Sequence, residues 1–205
     1  MKKLLLTGFE PFLNFKINPT MEVVKALDGL QIGEFEVIGR TMVVDFKQSA
    51  EQLQQLIASE QPQMIISLGL AGGRSKITPE RIAINIRDGE PDNKGYTPQD
   101  EVIDDQANDG YFTNLPIRKM VNSLQQAGYP AEISNSAGTY LCNNIMFEGI
   151  RYAQRQNSEM LAGFIHIPAN FELAISHGRI AGWATRDLIT AVQICLEEAV
   201  KATQS

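Results

Sequence analysis

Cys142, Cys195, His166 and His177 are the only cysteines and histidines in a chain of 205 residues. A Cys/His zinc site would need all four, and their spacing fits none of the usual ligand pairs, so no metal is expected. Nucleophilic chemistry is the remaining use, in which a thiolate attacks and a neighbouring imidazole serves as its base. Of the four Cys–His pairs, Cys142 with His166 has the right placement. Both stand at the ends of predicted strands and so face one edge of a sheet. Cys142 also opens a helix, where unpaired backbone N–H groups and the positive end of the helix dipole attract negative charge. Cys195 shares a helical face with Leu188, Val192 and Ala199 and reads as packing, while His177, between Ser176 and Gly178, reads as a surface-loop residue. A third group should orient the imidazole. Glu10, Glu80, Asp88 and Glu172 lie near the chosen edge, and position favours Glu80, at the entry to an isoleucine-rich strand, only slightly over the others.

The elements that must hold these residues alternate between apolar runs and helix-period segments. Residues 3–7, 35–44, 64–68 and 161–167 read as strands, as does the short segment 131–134. Ile82, Ile84 and Ile86 alternate with Ala83, Asn85 and Arg87 as in a further strand. Helices are predicted from Asn18-Pro19 onward, from Phe46 to about Glu60, from Pro116 to Gly128, from about Cys142 to Arg155, and from Thr185. Residues 88–111, rich in Asp, Asn, Gly and Pro, read as a long irregular excursion. Strands alternating with helices imply right-handed crossovers and a mostly parallel, twisted sheet covered on both faces, an α/β fold. The length predicts a single domain over residues 1–205. Such sheets bind ligands beyond the carboxyl ends of their strands, which selects segments 8–18, 69–79, 135–142 and 166–170.

Composition narrows the function classes. Hydrophobic residues make up 43% and charged residues 20%, ordinary globular usage. A net charge of −6 argues against a broad electrostatic grip on nucleic acid. No apolar run reaches the 18 or so residues that span a bilayer, so no membrane association is expected. Met1-Lys2-Lys3 followed by three leucines is too short for a signal peptide. Two cysteines make no disulfide framework, and a reducing, cytoplasmic setting is expected. The segment Gly69-Leu70-Ala71-Gly72-Gly73-Arg74 matches neither the dinucleotide fingerprint nor a P-loop. Its glycines read instead as places where the backbone passes close to a ligand or a neighbouring element. Phe9, Phe12 and Phe15 bracket a proline turn at the ligand edge, as an apolar pocket or as loop anchors.

Several blocks together resemble the pyrrolidone-carboxylate peptidases, the type I pyroglutamyl peptidases. Thr7-Gly8-Phe9-Glu10-Pro11-Phe12 with Asn18-Pro19-Thr20 is similar to the family's amino-terminal signature, and Pro79-Glu80-Arg81-Ile82-Ala83-Ile84-Asn85 to its glutamate motif. The run from Ser134 to Asn143 resembles the cysteine motif, Gly163-Phe164-Ile165-His166-Ile167-Pro168 the histidine motif, and Pro91-Asp92-Asn93 a block in the long loop. The resemblance implies a single α/β/α sandwich, commonly a homotetramer. It implies a cysteine peptidase that removes an amino-terminal pyroglutamyl residue from peptides without a cofactor. Cys142 would be the nucleophile, His166 the general base and acid, and Glu80 the group orienting it. Phe9 and Phe12, with Leu70, Tyr140 and Leu141 close by, would receive the lactam ring. The chain departs from the family pattern at Leu70, where glutamine is common, at Gly89-Glu90, where the family carries an arginine, and at Ala169-Asn170-Phe171-Glu172. Arg87 is not assigned to the missing arginine's place. These departures leave a second reading, a weakened or inactive binding protein on the same fold.

Overall fold

The computed structural model describes residues 1–13, 15–156 and 159–204. The apolar run after the amino terminus forms β1 (Lys2–Phe9). Asn18 then starts α1 (Pro19–Leu27) by accepting a hydrogen bond from the Thr20 N–H, with Pro19 in the first helical position. The two-residue β2 (Gln31–Ile32) precedes β3 (Phe35–Met42), and Asp45 caps α2 (Phe46–Glu60) through the Lys47 and Gln48 N–H groups. β4 (Met64–Leu70) is buried throughout. The short strands β5 (Thr78–Pro79), β6 (Ile82–Ile84), β7 (Ile86–Arg87), β8 (Glu101–Val102) and β9 (Gly110–Phe112) lead to α3 (Ile117–Gln126) and α4 (Leu141–Gln156). The chain finishes with β10 (Leu161–Ile167), β11 (Ala169–Asn170), α5 (Phe171–His177), β12 (Gly182–Trp183) and α6 (Thr185–Ala202).

The main sheet runs β2-β3-β1-β4-β10-β5. Its four inner strands are parallel and its two edge strands antiparallel. The two-residue period of each strand sorts its side chains between two cores. Leu4, Leu6, Met64, Ile66 and Leu68 join α1, α3 and α6, whereas Leu5, Ile65, Ala162 and Phe164 join α2 and α4. The result is the expected α/β/α arrangement. Phe46, Phe147 and Phe164 are fully buried in the second core, where each contributes about 1.5–3 kcal/mol by leaving water. Cys195 is packed in the first core, as its helical spacing implied. Among the described residues no helix is long and apolar enough to cross a membrane.

The structure corrects several local expectations. The strand expected over 82–86 is divided at Asn85, and its pieces pair with β9 and β8 rather than with the main sheet. Its alternation holds, but Ala83 and Asn85 face inward while the isoleucines are half-exposed. Asn85 turns in because its side chain bonds the Asp104 backbone at both N–H and carbonyl. The 131–134 strand is reduced to two single bridges, Ala131 to Ile77 and Ser134 to Glu80. The 88–111 excursion is tied down by β8 and by a buried Asp92, which accepts from the N–H groups of Phe46, Lys94 and Tyr96. His177 is not in a loop but in the last turn of α5, exposed and stacked on Phe15.

Asn143 joins α4 to this excursion. Fully buried, it accepts from the Ile84 N–H and donates to the Ile84 and Ile86 carbonyls, standing in for a missing strand partner. Asn143→Ala strands those three backbone groups. It should lower unfolding stability by about 2–4 kcal/mol, read as a shift in the denaturant midpoint at unchanged slope.

Candidate active site

Strand register brings the chemistry together. His166 is the sixth residue of β10 and pairs with Gly69 of β4 on one side and with Thr78 of β5 on the other. Glu80 lies two residues beyond Thr78, hence on the same face, at the diagonal distance that a long side chain can span. Its Oε1 lies 2.7 Å from His166 Nδ1. An ionised carboxylate can only accept, so Nδ1 carries the proton and Nε2 is left facing outward from the pair. Backbone bonds hold Glu80 in place, from its N–H to the Phe164 carbonyl and from Arg81 N–H to the Ser134 carbonyl.

The cysteine arrives from the helical layer above. Cys142 is the second residue of α4, half-buried, and its sulfur occupies the space that Gly69 leaves empty. A Cβ on Gly69 would lie 2.9 Å from that sulfur and 2.6 Å from the Phe164 ring. The glycine thus clears room for the sulfur beside the imidazole, close enough to act on it electrostatically. Phe164 closes the other side, its ring centroid 4.9 Å from that of His166.

Electrostatics match the geometry. Burial pushes His166 toward the neutral form, but the Cys142 sulfur and the Glu80 carboxylate outweigh it and raise its pKa to about 9. Burial likewise raises the Glu80 carboxyl, yet the His166 hydrogen bond and charge, with Ser134 and Arg74, hold it below the usual carboxylate range. A histidine held by an anion on one side and facing a sulfur on the other is poised to take up and release a proton while the carboxylate stays ionised.

A small, open apolar cleft lies beside the sulfur, lined by Phe9, Phe12, Asn18, Val44, Leu70, Tyr140, Leu141 and Cys142. All five residues expected around the ring are present in it. Asn18 and Val44 were not anticipated, because one reads as a helix cap and the other as strand. Phe15 lies outside the cleft, against His177 and over Gly72, where a Cβ would come within 2.9 Å of its ring. Tyr140 packs edge-on against Phe46 and donates to the Pro91 carbonyl. Burial, Asp92 and the Cys142 charge push its hydroxyl up to about 12, so it stays neutral. A larger depression lined by Lys2, Phe35, Gln63 and Leu161 lies at the opposite end of the strands and contains no cysteine or histidine.

The carboxylate that His166 bonds is Glu80 and none of the other three candidates. Glu10 accepts from the Val44 N–H and the Asn93 amide, Asp88 gives its N–H to the Thr139 carbonyl, and Glu172 is exposed in the first turn of α5. Arg87 donates to the Ile103 carbonyl and acts electrostatically on Glu148 of α4 and on Tyr96. No cluster of His, Cys, Asp and Glu suited to a metal occurs among the described residues. Arg74 was missed as a site residue. Its Nη1 donates to Glu80 Oε1 and to Thr78 Oγ1, each at 2.7 Å. No periodicity relates a loop arginine to a carboxylate six positions on, and only the turn after β4 brings them together.

Residues 2–202 match the model of the family described as pyroglutamyl peptidase. A relative from Lysinibacillus sphaericus, called pyrrolidone-carboxylate peptidase, is 66% identical over 202 residues and is covered, like this chain, to 98%. One of the same name from Oceanobacillus iheyensis is 50% identical, over 96% of this chain and 98% of its own. The solved structure of the pyrrolidone carboxyl peptidase from Thermococcus litoralis superposes with a TM-score of 0.94 at 38% identity, covering 100% of this chain and 96% of that one. That of the Pyrococcus furiosus enzyme gives 0.93 at 39% identity, over 98% and 99% of the two chains.

The empty position at Gly69 is testable. Gly69→Ala should displace the sulfur by a sizeable fraction of an ångström and lower activity about a hundredfold. Circular dichroism should show the fold retained, and iodoacetamide should alkylate Cys142 at a changed rate.

Proposed function

This chain belongs to the pyroglutamyl peptidase family, and we propose that it hydrolyses the bond after an amino-terminal pyroglutamyl residue of peptides through Cys142, His166 and Glu80. The observation that carries this reading is the single line of contacts from Glu80 Oε1 through the His166 ring to the Cys142 sulfur, at the mouth of an apolar cleft.

The Cys142 thiolate adds to the carbonyl joining pyroglutamate to the next residue. The first N–H groups of α4 have no acceptor within the helix and receive the oxyanion. When the tetrahedral intermediate collapses the C–N bond breaks, and His166 hands its proton to the departing amine. His166 then takes a proton from water, whose oxygen attacks the thioester; pyroglutamate leaves and the sulfur regains its starting state. Glu80 keeps the imidazole in one tautomer and stabilises its charged form. Pyroglutamate has no free α-amino charge, and the cleft offers none of the carboxylates that such a charge would require. Phe9, Phe12, Leu70, Tyr140 and Leu141 suit a flat, neutral lactam. The altered Ala169–Asn170 segment pairs with β12, and Asn170 caps α5, so this departure is built into regular structure. That favours an active enzyme over a binding protein.

No cofactor enters this chemistry. We place the protein in the cytoplasm, where its two free thiols stay reduced. Exposed Phe171 and Ile175 on α5 supply apolar surface for the self-association implied by the family's tetramers.

A pyroglutamyl-aminomethylcoumarin amide tests the reading. Cys142→Ser and His166→Ala should each lose at least about a thousandfold in kcat, and iodoacetamide should silence the wild type. Wild-type turnover that survives in Cys142→Ser would sink the nucleophile assignment. The basic limb of the pH profile of kcat/KM should lie near 9, where His166 gives up its proton.

A further inference from the structure

Glu80 is fully buried, and its Oε1 serves two donors, His166 Nδ1 and Arg74 Nη1, both at 2.7 Å. Arg74 is anchored independently of that contact. The same Nη1 donates to Thr78 Oγ1, and the Arg74 N–H closes a turn onto the Ala71 carbonyl immediately after β4. Thr78 is itself buried and stands opposite His166 in the sheet. The arginine therefore spans the two residues of one strand face that flank the imidazole, while its own side chain remains about a third exposed. Gly72 leaves room beside this turn, where a side chain would strike Phe15.

We infer that Arg74 is a positioning residue of the reaction, fixing the Glu80 carboxylate in the one orientation that aims His166 at Cys142. The inference rests on the triad reading above and adds a fourth member to it. A carboxylate turned by a single donor can rotate about its last torsion; two donors on one oxygen, one of them anchored through Thr78, stop that rotation. Arg74 has a second, electrostatic consequence. It sits on the same oxygen as the imidazolium and repels it, while the Cys142 sulfur and Glu80 attract it. The groups facing the His166–Glu80 pair are Cys142 from α4, Thr78 from β5, Ser134 from its bridge, Phe164 from the same strand and Arg74 from the turn. Among these Arg74 is the one fixed cation, so its removal lets His166 keep its proton to higher pH.

The test is the pH profile of the full-length protein on the reporter amide, with Arg74→Gln, Arg74→Lys and Cys142→Ser measured side by side. Arg74→Gln should lower kcat about tenfold with KM changed by less than about twofold. Its basic limb should move up by about half a unit or more. Arg74→Lys, which keeps the charge, should hold the limb at the wild-type position and recover part of kcat. Should the Gln variant fail to fold, Arg74→Met, closer in volume, takes its place in the same comparison. A limb that does not move in the neutral variant, or that moves equally in the Lys variant, overturns the inference. With Cys142→Ser inactive, that outcome leaves the triad standing; a fully active Cys142→Ser would remove both readings together.

Discussion

A carboxylate buried beyond reach of water is the constraint around which this protein is arranged. Ionised and alone, Glu80 would carry a desolvation penalty of several kcal/mol, and its companions in the structure are those that offset it. His166 comes from the last long strand, Arg74 from the turn after β4, and Ser134 from the bridge that precedes α4. The three lie far apart in the chain and meet only because β5 adds to the sheet edge in a single register. A slip of one residue in that pairing would turn Glu80 to the opposite face and leave the imidazole without an acceptor. The stability of the edge strand and the readiness of the histidine are thus the same interaction seen from two sides.

The sulfur is placed by an absence. Gly69 pairs with His166 across the centre of the sheet, and its missing side chain is the seat of the Cys142 sulfur. Cys142 is in turn held by its neighbour, for Asn143 binds α4 to the backbone of β6 and β7. The strand that leads away from Glu80 therefore also fixes the helix that carries Cys142. The long excursion braces the residues around the cleft. Asn93 ties it to Glu10 and the Pro11 carbonyl, Asp92 to the start of α2, and the Pro91 carbonyl to Tyr140. A segment that reads as irregular thereby braces residues around the cleft from outside it, held by polar side chains rather than by a core of its own.

Much of this was legible in the order of residues. The long strands and helices follow from apolar periodicity and caps, because both depend on neighbours a few positions away. Asn18 before Pro19 and Asp45 before Phe46 mark helix starts that the structure reproduces. The short strands β5, β11 and β12 carry no such pattern, being two residues long and defined wholly by their partners. The isoleucine strand shows the same limit: its period was visible, but which face turned inward was decided by the asparagine that grips Asp104.

The sequence by itself determined the kinds of chemistry available: one useful cysteine, one useful histidine, no metal set, and a helix start and strand ends to present them. It also carried the family resemblance, which rests on residue identity at spaced positions. Position along the chain left the choice of acid open and the resemblance pointed to Glu80; tertiary structure supplied the physical reason for that choice and brought the arginine to it. Glu10, Glu80, Asp88 and Glu172 were near-equals along the chain, and register singled out Glu80 because only it sits diagonally across from His166. Arg74 had no signal of its own. A charge six residues from a carboxylate means nothing until a turn folds the two onto one oxygen, a turn closed by the Arg74 N–H on the Ala71 carbonyl with Gly72 leaving room for Phe15.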